Sequence, residues 1–247
     1  EERVLAGSLI IEGIHAAYGS VRALEDVSIT VSAGETVALL GTNGNGKSTL
    51  MKCIIGILRP TGGRIVAEID GRRVDLTTLT TEQIIDLGIA VVPEGRRLFP
   101  ALAVEENLLL GAYRRTARAR IRRNMDFCFE IFPVLRERRS QLAGKLSGGE
   151  QQMVALARAI MLEPSILIVD EPSVGLSPLM VARTIDSIRE LKERQDLTVL
   201  MAEQNFHQAI RIADRGYVIV HGRIVFEGRS AAELNDNKLI RDLYLGA

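Results

Sequence analysis

The sequence predicts one α/β domain built on a mixed sheet, with an antiparallel N-terminal β part and an inserted helical subdomain. The runs VALL, IAVV, ILIV and TVLM are continuous and apolar, which is typical of parallel strands covered by helices on both faces. Shorter runs near the two ends, LIIEGI with SITV and GYVIV with RIVFEG, indicate antiparallel pairs. The last pair would turn at His221–Gly222. These patterns predict an α/β core whose strand directions are mixed.

Strand-like runs are missing between residues 97 and 155, where helical runs replace them. We therefore expect one domain over residues 1–247, with the α/β core in 1–96 and 156–247 and the helical subdomain in 97–155. The last helical run is expected to end at Leu162. It carries apolar residues at positions i, i+3, i+4 and i+7, which predicts a buried stripe. These residues are Met153, Leu156, Ala157 and Ile160.

The composition excludes several classes of protein. Lys plus Arg and Asp plus Glu are 31 each, so no overall field favours a nucleic-acid partner. The two cysteines, Cys53 and Cys128, lie in apolar helical runs and resemble neither a disulfide framework nor a zinc site, which favours a reduced cytosolic compartment. No run approaches the ~20 apolar residues of a membrane helix, and no signal peptide is visible. A membrane role would therefore be that of a peripheral subunit.

A glycine-rich segment between the run TVALL and a helical run matches the phosphate-binding pattern G-x-x-x-x-G-K-[ST]. Its glycines let backbone N–H groups point at phosphate oxygens, and the helix N-terminus adds a favourable dipole. Lys47 would reach the β- and γ-phosphates, and the Ser48 hydroxyl would ligate Mg²⁺. A chance glycine-rich turn is the alternative, which the strand–loop–helix context disfavours. The candidate nucleotide-binding residues are Gly41, Thr42, Asn43, Gly44, Asn45, Gly46, Lys47, Ser48 and Thr49.

A second apolar run, SILIV, ends in two carboxylates, Asp170 and Glu171. Ligands of open α/β sheets bind beyond the carboxyl ends of the strands, where these acids fall. Asp170 is placed to hold Mg²⁺ through water, and Glu171 to polarise an attacking water as a general base. An ordinary strand-to-loop transition is the alternative, but the phosphate-binding pattern favours catalysis.

The segment LSGGEQQ, which contains Ser147, Gly148 and Gly149, lies between the phosphate-binding pattern and the acidic strand. Alone it could be a capped helix start, with Ser147 as the N-cap and Glu150 three residues later. In this order along the chain, the three motifs resemble those of the ABC ATPase family over nearly the whole sequence. The resemblance implies a P-loop NTPase core that binds ATP and Mg²⁺.

The same resemblance implies the partners. Two ATPase subunits, identical or different, pair head to tail and hold ATP between the phosphate loop of one and Ser147, Gly148 and Gly149 of the other. Hydrolysis drives integral-membrane permease subunits, and a periplasmic solute-binding protein takes part indirectly. The chain would then lie peripherally on the cytoplasmic face of the inner membrane, without a nucleic-acid partner.

Further positions follow from the resemblance one at a time. Tyr18 matches the aromatic residue that stacks on adenine, although a strand-end aromatic is the alternative. Glu94 stands where the family usually has a glutamine at Mg²⁺, and Gln204 where it usually has the switch histidine at the γ-phosphate. Ser177 replaces the usual aspartate of the loop that crosses the dimer. These departures predict slower hydrolysis or dependence on a partner ATPase; His207 is expected to be a helix-surface residue rather than a substitute.

The segments VPEGRRLFP, LSGGEQQM, DEPSVGLSP and AEQN together resemble the smaller ATPase subunit of bacterial branched-chain amino-acid importers. The implied function is ATP hydrolysis that powers the import of branched-chain or other hydrophobic amino acids. A soluble ABC ATPase without a membrane partner, a weakly hydrolysing regulatory subunit, and an importer of urea or another amide stay open as alternatives.

Two surface features have open interpretations. The arginine-rich stretch from Arg114 to Arg123 could meet anionic lipid or nucleic acid, but no aromatic residues interleave with it, so a solvated helix face is favoured. In the family, the region of Leu98, Phe99 and Pro100 borders the groove for a short helix of the membrane subunit. Simple packing of Phe99 into the subdomain is the alternative.

Overall fold

The computed structural model describes residues 6–237, which form two sheets and a layer of helices. The strands are β1 (Ser8–Tyr18), β2 (Val21–Val31), β3 (Thr36–Leu40), β4 (Gly62–Ile69), β5 (Arg72–Asp75), β6 (Ile89–Val92), β7 (Ile166–Asp170), β8 (Thr198–Glu203), β9 (Arg215–Val220) and β10 (Arg223–Gly228). The helices are α1 (Lys47–Ile54), α2 (Thr81–Asp86), α3 (Val104–Gly111), α4 (Arg115–Ala119), α5 (Ile121–Ile131), α6 (Pro133–Glu137), α7 (Gly148–Ile160), α8 (Pro178–Gln195), α9 (Phe206–Ala209) and α10 (Ala231–Asp236).

The main sheet has the strand order β10-β9-β3-β8-β7-β6. Strands β9, β3, β8, β7 and β6 pair in parallel, and β10 pairs antiparallel with β9. The four continuous apolar runs of the sequence are β3, β6, β7 and β8, and every residue of β3, β7 and β8 is buried. The predicted parallel core and the hairpin turn at His221–Gly222 are thus confirmed.

A second sheet, with the order β2-β1-β4-β5, is antiparallel throughout. It confirms the predicted antiparallel N-terminal part.

The two faces of the main sheet bury two separate cores. Along β3, Val37 and Leu39 pack with α1 and the antiparallel sheet, whereas Ala38 and Leu40 pack with the helical layer. Successive side chains of a strand point to opposite faces, so a fully apolar strand can feed both cores. Each fully buried aliphatic side chain contributes roughly 1.5–3 kcal/mol. The sheet edge that carries the loops after β3, β7 and β8 therefore rests on a rigid support.

Residues 97–155 contain α3 to α6 and the first part of α7. Helix α7 runs through the predicted boundary at residue 155, so that boundary falls inside a helix. The helix ends at Ile160 rather than at the predicted Leu162, because the chain turns at Glu163, whose φ of 53° is left-handed. In the predicted stripe Leu156, Ala157 and Ile160 are buried, and Met153 is half-buried.

The arginine-rich stretch spans α4 and the start of α5. Arg114 donates to the Glu163 carbonyl at 3.1 Å, and Arg120 bonds the Glu163 carboxylate at 3.4 Å. Part of this charge therefore stabilises the junction between the helical layer and the segment leading into β7. Within residues 6–237, no helix combines the length and the apolar character required to cross a membrane.

Candidate functional site

The predicted site segments follow neighbouring parallel strands. Strands β3, β8, β7 and β6 lie side by side in that order. Leu40 pairs with Glu203, and Asp170 pairs with Ala202, so their ends are level. The segments that follow these strands, which contain the glycine-rich loop, Gln204, Glu171 and Glu94, consequently share one edge of the sheet.

A pocket of about 530 Å³ opens at this edge. It collects most of the predicted nucleotide-binding residues together with both Glu94 and Glu171. Its lining consists of Tyr18, Val21, Arg22, Ala23, Asn43, Gly44, Gly46, Lys47, Ser48, Thr49, Glu94, Glu171, His221 and Gly222.

The glycine-rich loop has the backbone that its pattern requires. Gly46 is the N-cap of α1 with φ of 102°, a conformation that L side chains rarely adopt. Asn45 is bonded to the β9–β10 turn: its side-chain Oδ1 accepts the His221 N–H at 2.9 Å, and its main-chain carbonyl accepts the Gly222 N–H at 3.1 Å. Asn45 therefore fastens the loop to the β9–β10 turn, while α1 presents its N-terminus to the pocket.

Lys47 lies at the base of the pocket with only 3% of its side chain exposed. Its ammonium group donates to the Gly41 carbonyl at 2.7 Å and the Thr42 carbonyl at 3.1 Å, and it pairs with Glu171 at 2.9 Å. A buried cation requires such acceptors, because desolvation of an unpaired charge is costly. The sequence predicted phosphate contacts for Lys47, whereas here its ammonium group is bonded to Glu171 and to the loop itself.

Asp170 is buried below the pocket and accepts a hydrogen bond from the Ser48 hydroxyl at 3.3 Å. Burial, aided by the charges of Glu171 and Glu94, raises the pKa of Asp170 to about 6, although the hydrogen bond from Ser48 and the charge of Lys47 oppose the shift. This corner of the site is therefore rich in negative charge and favours a cation.

The donors in this corner suit Mg²⁺. Within the described part of the chain, no cluster of three or more His, Cys, Asp or Glu side chains could hold a metal ion by itself. Protein sites for Mg²⁺ usually supply one or two carboxylates and leave the other positions to water and substrate phosphates. Ser48 and Asp170, with Glu94 on the pocket wall, form an incomplete set of oxygen ligands of this kind.

Tyr18 ends β1 at the mouth of the pocket, with 46% of its surface exposed. The Lys52 ammonium lies 3.4 Å from its hydroxyl and 5.6 Å from its ring centre. The ring is thus oriented from one side while its exposed part can stack on a base.

Comparisons with known proteins agree with this geometry. A family model described as "ABC transporter" matches residues 24–174. The high-affinity branched-chain amino acid transport ATP-binding protein BraG of Pseudomonas aeruginosa is 45% identical over 229 residues, which cover 93% of this chain and 95% of the relative. The chain belongs to the ABC transporter family. Its activity is ATP hydrolysis, which the family couples to transport.

Two further comparisons support the assignment to the ABC family. A probable branched-chain amino acid transport ATP-binding protein, LivF, of Archaeoglobus fulgidus is 35% identical over 94% of this chain and 96% of the relative. A nucleotide-free ATP-binding cassette from an ABC transporter matches with a TM-score of 0.82 and 27% identity over 98% of this chain and 100% of that one. The α/β P-loop fold of this ABC ATPase is therefore confirmed.

Besides Gly41, Thr42 and Asn45 of the glycine-rich loop and the buried Asp170, four predicted residues of the ABC ATPase do not line the pocket. Ser147, Gly148 and Gly149 lie at the N-terminus of α7, where Ser147 and Glu150 form the predicted capping box. The Arg96 guanidinium lies against Gly148 and donates to the Val174 carbonyl at 3.4 Å, which ties this helix start to the loop after β7. The fourth, Gln204, follows β8 and is exposed.

Part of the pocket wall was not predicted from the sequence. His221 and Gly222 line the pocket, as do Val21, Arg22 and Ala23 of β2. The turn at His221–Gly222 was predicted, but nothing local in the sequence indicates that it packs on a loop 176 residues earlier.

Replacing Asp170 with asparagine is expected to stabilise this ABC ATPase in the absence of nucleotide and Mg²⁺. The folded state binds the Asp170 proton more tightly than the unfolded state, because the pKa is raised from 3.8 to about 6. The ionised Asp170 carboxylate therefore destabilises the folded state fully at a pH above about 6, and the effect disappears at a pH below 3.8. We expect Asp170→Asn to raise the free energy of unfolding by on the order of 1–3 kcal/mol at about pH 7.5. This increase should shrink as the pH falls from about 6 toward 4.

Denaturant unfolding in EDTA at several pH values measures this gain. The exposed Asp86, changed to asparagine, serves as the control and should alter the free energy of unfolding by less than ~0.5 kcal/mol. A destabilised Asp170→Asn variant at neutral pH would contradict the expectation.

Proposed function

We propose that this ABC ATPase powers an importer of branched-chain or other hydrophobic amino acids, as a peripheral subunit at the cytoplasmic face of the membrane. The observation that carries the substrate class is the 45% identity to the Pseudomonas aeruginosa branched-chain amino acid transport protein over nearly the full length of both chains. A periplasmic solute-binding protein would deliver the amino acid to the permease subunits.

The pocket supports a division of labour during hydrolysis. Tyr18 would stack on adenine, and the glycine-rich loop with the α1 N-terminus would bind the phosphates. Lys47 would exchange its bond to Glu171 for the β- and γ-phosphates, since both partners lie at the base of the same pocket. The released Glu171 carboxylate would then orient and deprotonate the attacking water.

The bound metal would be Mg²⁺, held by the Ser48 hydroxyl and by Asp170 through water, with Glu94 beside it. When bound, it neutralises charge that develops on the phosphate oxygens. Gln204 would approach the γ-phosphate by hydrogen bonding alone, because an amide cannot carry positive charge.

A second ATPase subunit, identical or different, would complete each site. Ser147 is exposed and lies outside the pocket lining, which supports a role toward the nucleotide of another subunit. The capping box bonds the Ser147 and Glu150 N–H groups, so the Gly148 and Gly149 N–H groups and the positive dipole end of α7 would form the anion site. Ser177, at the N-terminus of α8, belongs to the loop that would cross the dimer.

The permease would bind a groove of about 610 Å³ between the main sheet and the helical layer. Its wall includes Phe99 and Tyr113, which are exposed by 51% and 49%. Arg158 of α7 donates to the carbonyls of Arg96 and Arg97 at 3.0 and 2.8 Å. This bonding holds the short segment between Glu94 in the pocket and Phe99 in the groove, so permease movement and nucleotide binding can be coupled.

Replacing Phe99 with alanine is expected to weaken assembly with the permease about tenfold or more, because an exposed aromatic in a groove is a typical interface anchor. Co-purification of tagged permease subunits measures this, with ATP binding expected to be unchanged. Val225 is also exposed and apolar but lies outside the groove on β10, so Val225→Ala is the control. Equal assembly of both variants would count against the groove as the docking site.

The substrate class is tested by solute uptake in the source organism. Deleting the gene should abolish high-affinity uptake of labelled leucine, isoleucine and valine, and the wild-type gene should restore it, whereas Lys47→Ala should not. Labelled urea is measured in parallel. Loss of urea uptake with normal leucine uptake would replace the amino-acid assignment, and no uptake defect at all would favour a soluble ABC ATPase.

A further inference from the structure

Glu203, the last residue of β8, is a buried carboxylate to which neither the motifs nor the proposed mechanism gives a role. It is fully buried at the sheet edge below the nucleotide pocket. No Lys, Arg or His side chain of residues 6–237 forms an ion pair with it within 4.0 Å. Burial of an unpaired carboxylate is costly unless hydrogen bonds compensate it. Its surroundings must therefore supply donors.

Three donors bind the Glu203 carboxylate, and they come from two loops. The Ser173 N–H reaches Oε1 at 3.0 Å and the Ser173 hydroxyl reaches Oε2 at 2.9 Å. The Asn205 N–H reaches Oε2 at 3.1 Å. Burial raises the pKa of Glu203, and the nearby Glu171 charge adds to the shift, whereas the bonds from Ser173 and Asn205 oppose it.

The main chain of Glu203 adds a third connection. Its carbonyl accepts the Gly41 N–H at 3.3 Å, at the start of the phosphate loop. The same residue thus touches the phosphate loop, the loop two residues after Glu171, and the residue after Gln204. These three segments carry the groups that must meet around the γ-phosphate.

We propose that Glu203 is a positioning residue that holds the loop after Glu171 and the loop containing Gln204 in fixed register with the phosphate loop. The proposal rests on the proposed roles of Glu171 and Gln204 in hydrolysis. Only a side chain with two acceptor oxygens can satisfy all three donors at once. Glutamine keeps one oxygen and turns an N–H₂ group toward N–H or O–H donors, and aspartate is one methylene too short.

If Glu203 is a positioning residue, replacing it should lower ATP turnover without weakening ATP binding. Phosphate binding depends on the loop backbone and Lys47, which Glu203 reaches only through its carbonyl, so Glu203→Gln should leave the KM for ATP within about twofold. The kcat should fall about tenfold or more, because small misplacements of catalytic groups are sufficient for such losses. Ser173→Ala removes one of the three bonds and should lower kcat by less than Glu203→Gln does. Ser173→Thr keeps a hydroxyl donor and should keep kcat near the wild-type value.

Amide hydrogen exchange on the full chain without nucleotide tests the contacts directly. In Glu203→Gln, exchange at the Ser173 amide, the Asn205 amide or both should accelerate about tenfold or more, because glutamine keeps only one acceptor oxygen, whereas segment 47–54 should change by less than about twofold. The control is Glu106→Gln, because Glu106 also accepts a backbone N–H, that of Ala103 at 2.7 Å, but lies on α3 outside the site.

The outcomes separate this inference from the proposed function. Unchanged exchange at both amides overturns the positioning role, as does equal acceleration in every segment, which would indicate general destabilisation. If Glu203→Gln does not fold, Ser173→Ala and Ser173→Thr decide by the same exchange measurement at Asn205 and by kcat. Failure of the wild-type chain to bind ATP would contradict the proposed function. The comparison of amide exchange between the wild type and Glu203→Gln would still decide the role of Glu203.

Discussion

Replacing Glu171 with glutamine is expected to lower ATP turnover by the assembled ATPase about 100-fold or more while ATP binding is kept. The variant removes the only proposed general base, and general-base catalysis typically contributes 10²–10⁴-fold. Glu171 is also held in a left-handed conformation, with φ of 47°, and its N–H donates to the Ala202 carbonyl at 2.9 Å. Such strain persists where the surrounding structure fixes a functional side chain.

The ion pair with Lys47 makes a second effect of this substitution testable. Glutamine releases the Lys47 ammonium from a carboxylate at 2.9 Å, so ATP should bind as tightly as before or more tightly. Phosphate release and equilibrium binding of a fluorescent ATP analogue measure the two effects. Turnover above about a tenth of the wild-type rate would exclude Glu171 as the base.

Glu163 offers a matched control for this experiment. It also has a left-handed backbone, with φ of 53°, and its carboxylate also pairs with a cation, that of Arg120 at 3.4 Å. It lies outside the nucleotide pocket, at the junction between the helical layer and β7. Glu163→Gln should therefore keep normal turnover, which separates loss of the base from a general effect of the charge change.

Sequence reasoning worked best where one contiguous segment contains all the required information. The glycine-rich loop specifies its own backbone, and the acids after ILIV are placed by the strand that precedes them. Because parallel strands end at a common edge, the placement of Asp170 and Glu171 near the glycine-rich loop also followed from the fold class, whereas Glu94 and Gln204 were identified only through the family resemblance.

The parts that could not be predicted depend on contacts between distant segments. His221 lines the pocket because the β9–β10 turn packs on Asn45, which no local pattern encodes. In the sequence, Glu203 is only the polar residue at the end of an apolar strand. Its hydrogen bonds with Ser173 and Asn205 become apparent only in the folded structure. The bond between Lys47 and Glu171 joins two motifs whose sequences are each fully explained by phosphate chemistry.

Replacing Gly46 with alanine is expected to abolish measurable ATP binding, with a loss of about 100-fold or more in affinity. An added Cβ would lie 2.8 Å from Leu24 Cδ2 and 3.0 Å from the Ala23 carbonyl oxygen, and φ is 102°. Leu24 is fully buried and the Ala23 oxygen belongs to the backbone, so neither neighbour can yield freely and we expect the phosphate loop to shift. The shift would misalign the N–H groups at the start of α1 and break the contact with the β9–β10 turn.

Gly34, in the turn between β2 and β3, separates the effect of backbone strain from the effect of steric contact by the added Cβ. It also has a positive φ, 72°, but an added Cβ would meet nothing within 4 Å. Gly34→Ala should therefore cost about 1 kcal/mol of stability and leave ATP affinity unchanged. Equilibrium binding of ATP and denaturant unfolding of both variants measure the difference. Normal ATP affinity in Gly46→Ala would show that this loop does not bind the phosphates, whereas equal losses in both variants would attribute the effect to strain alone.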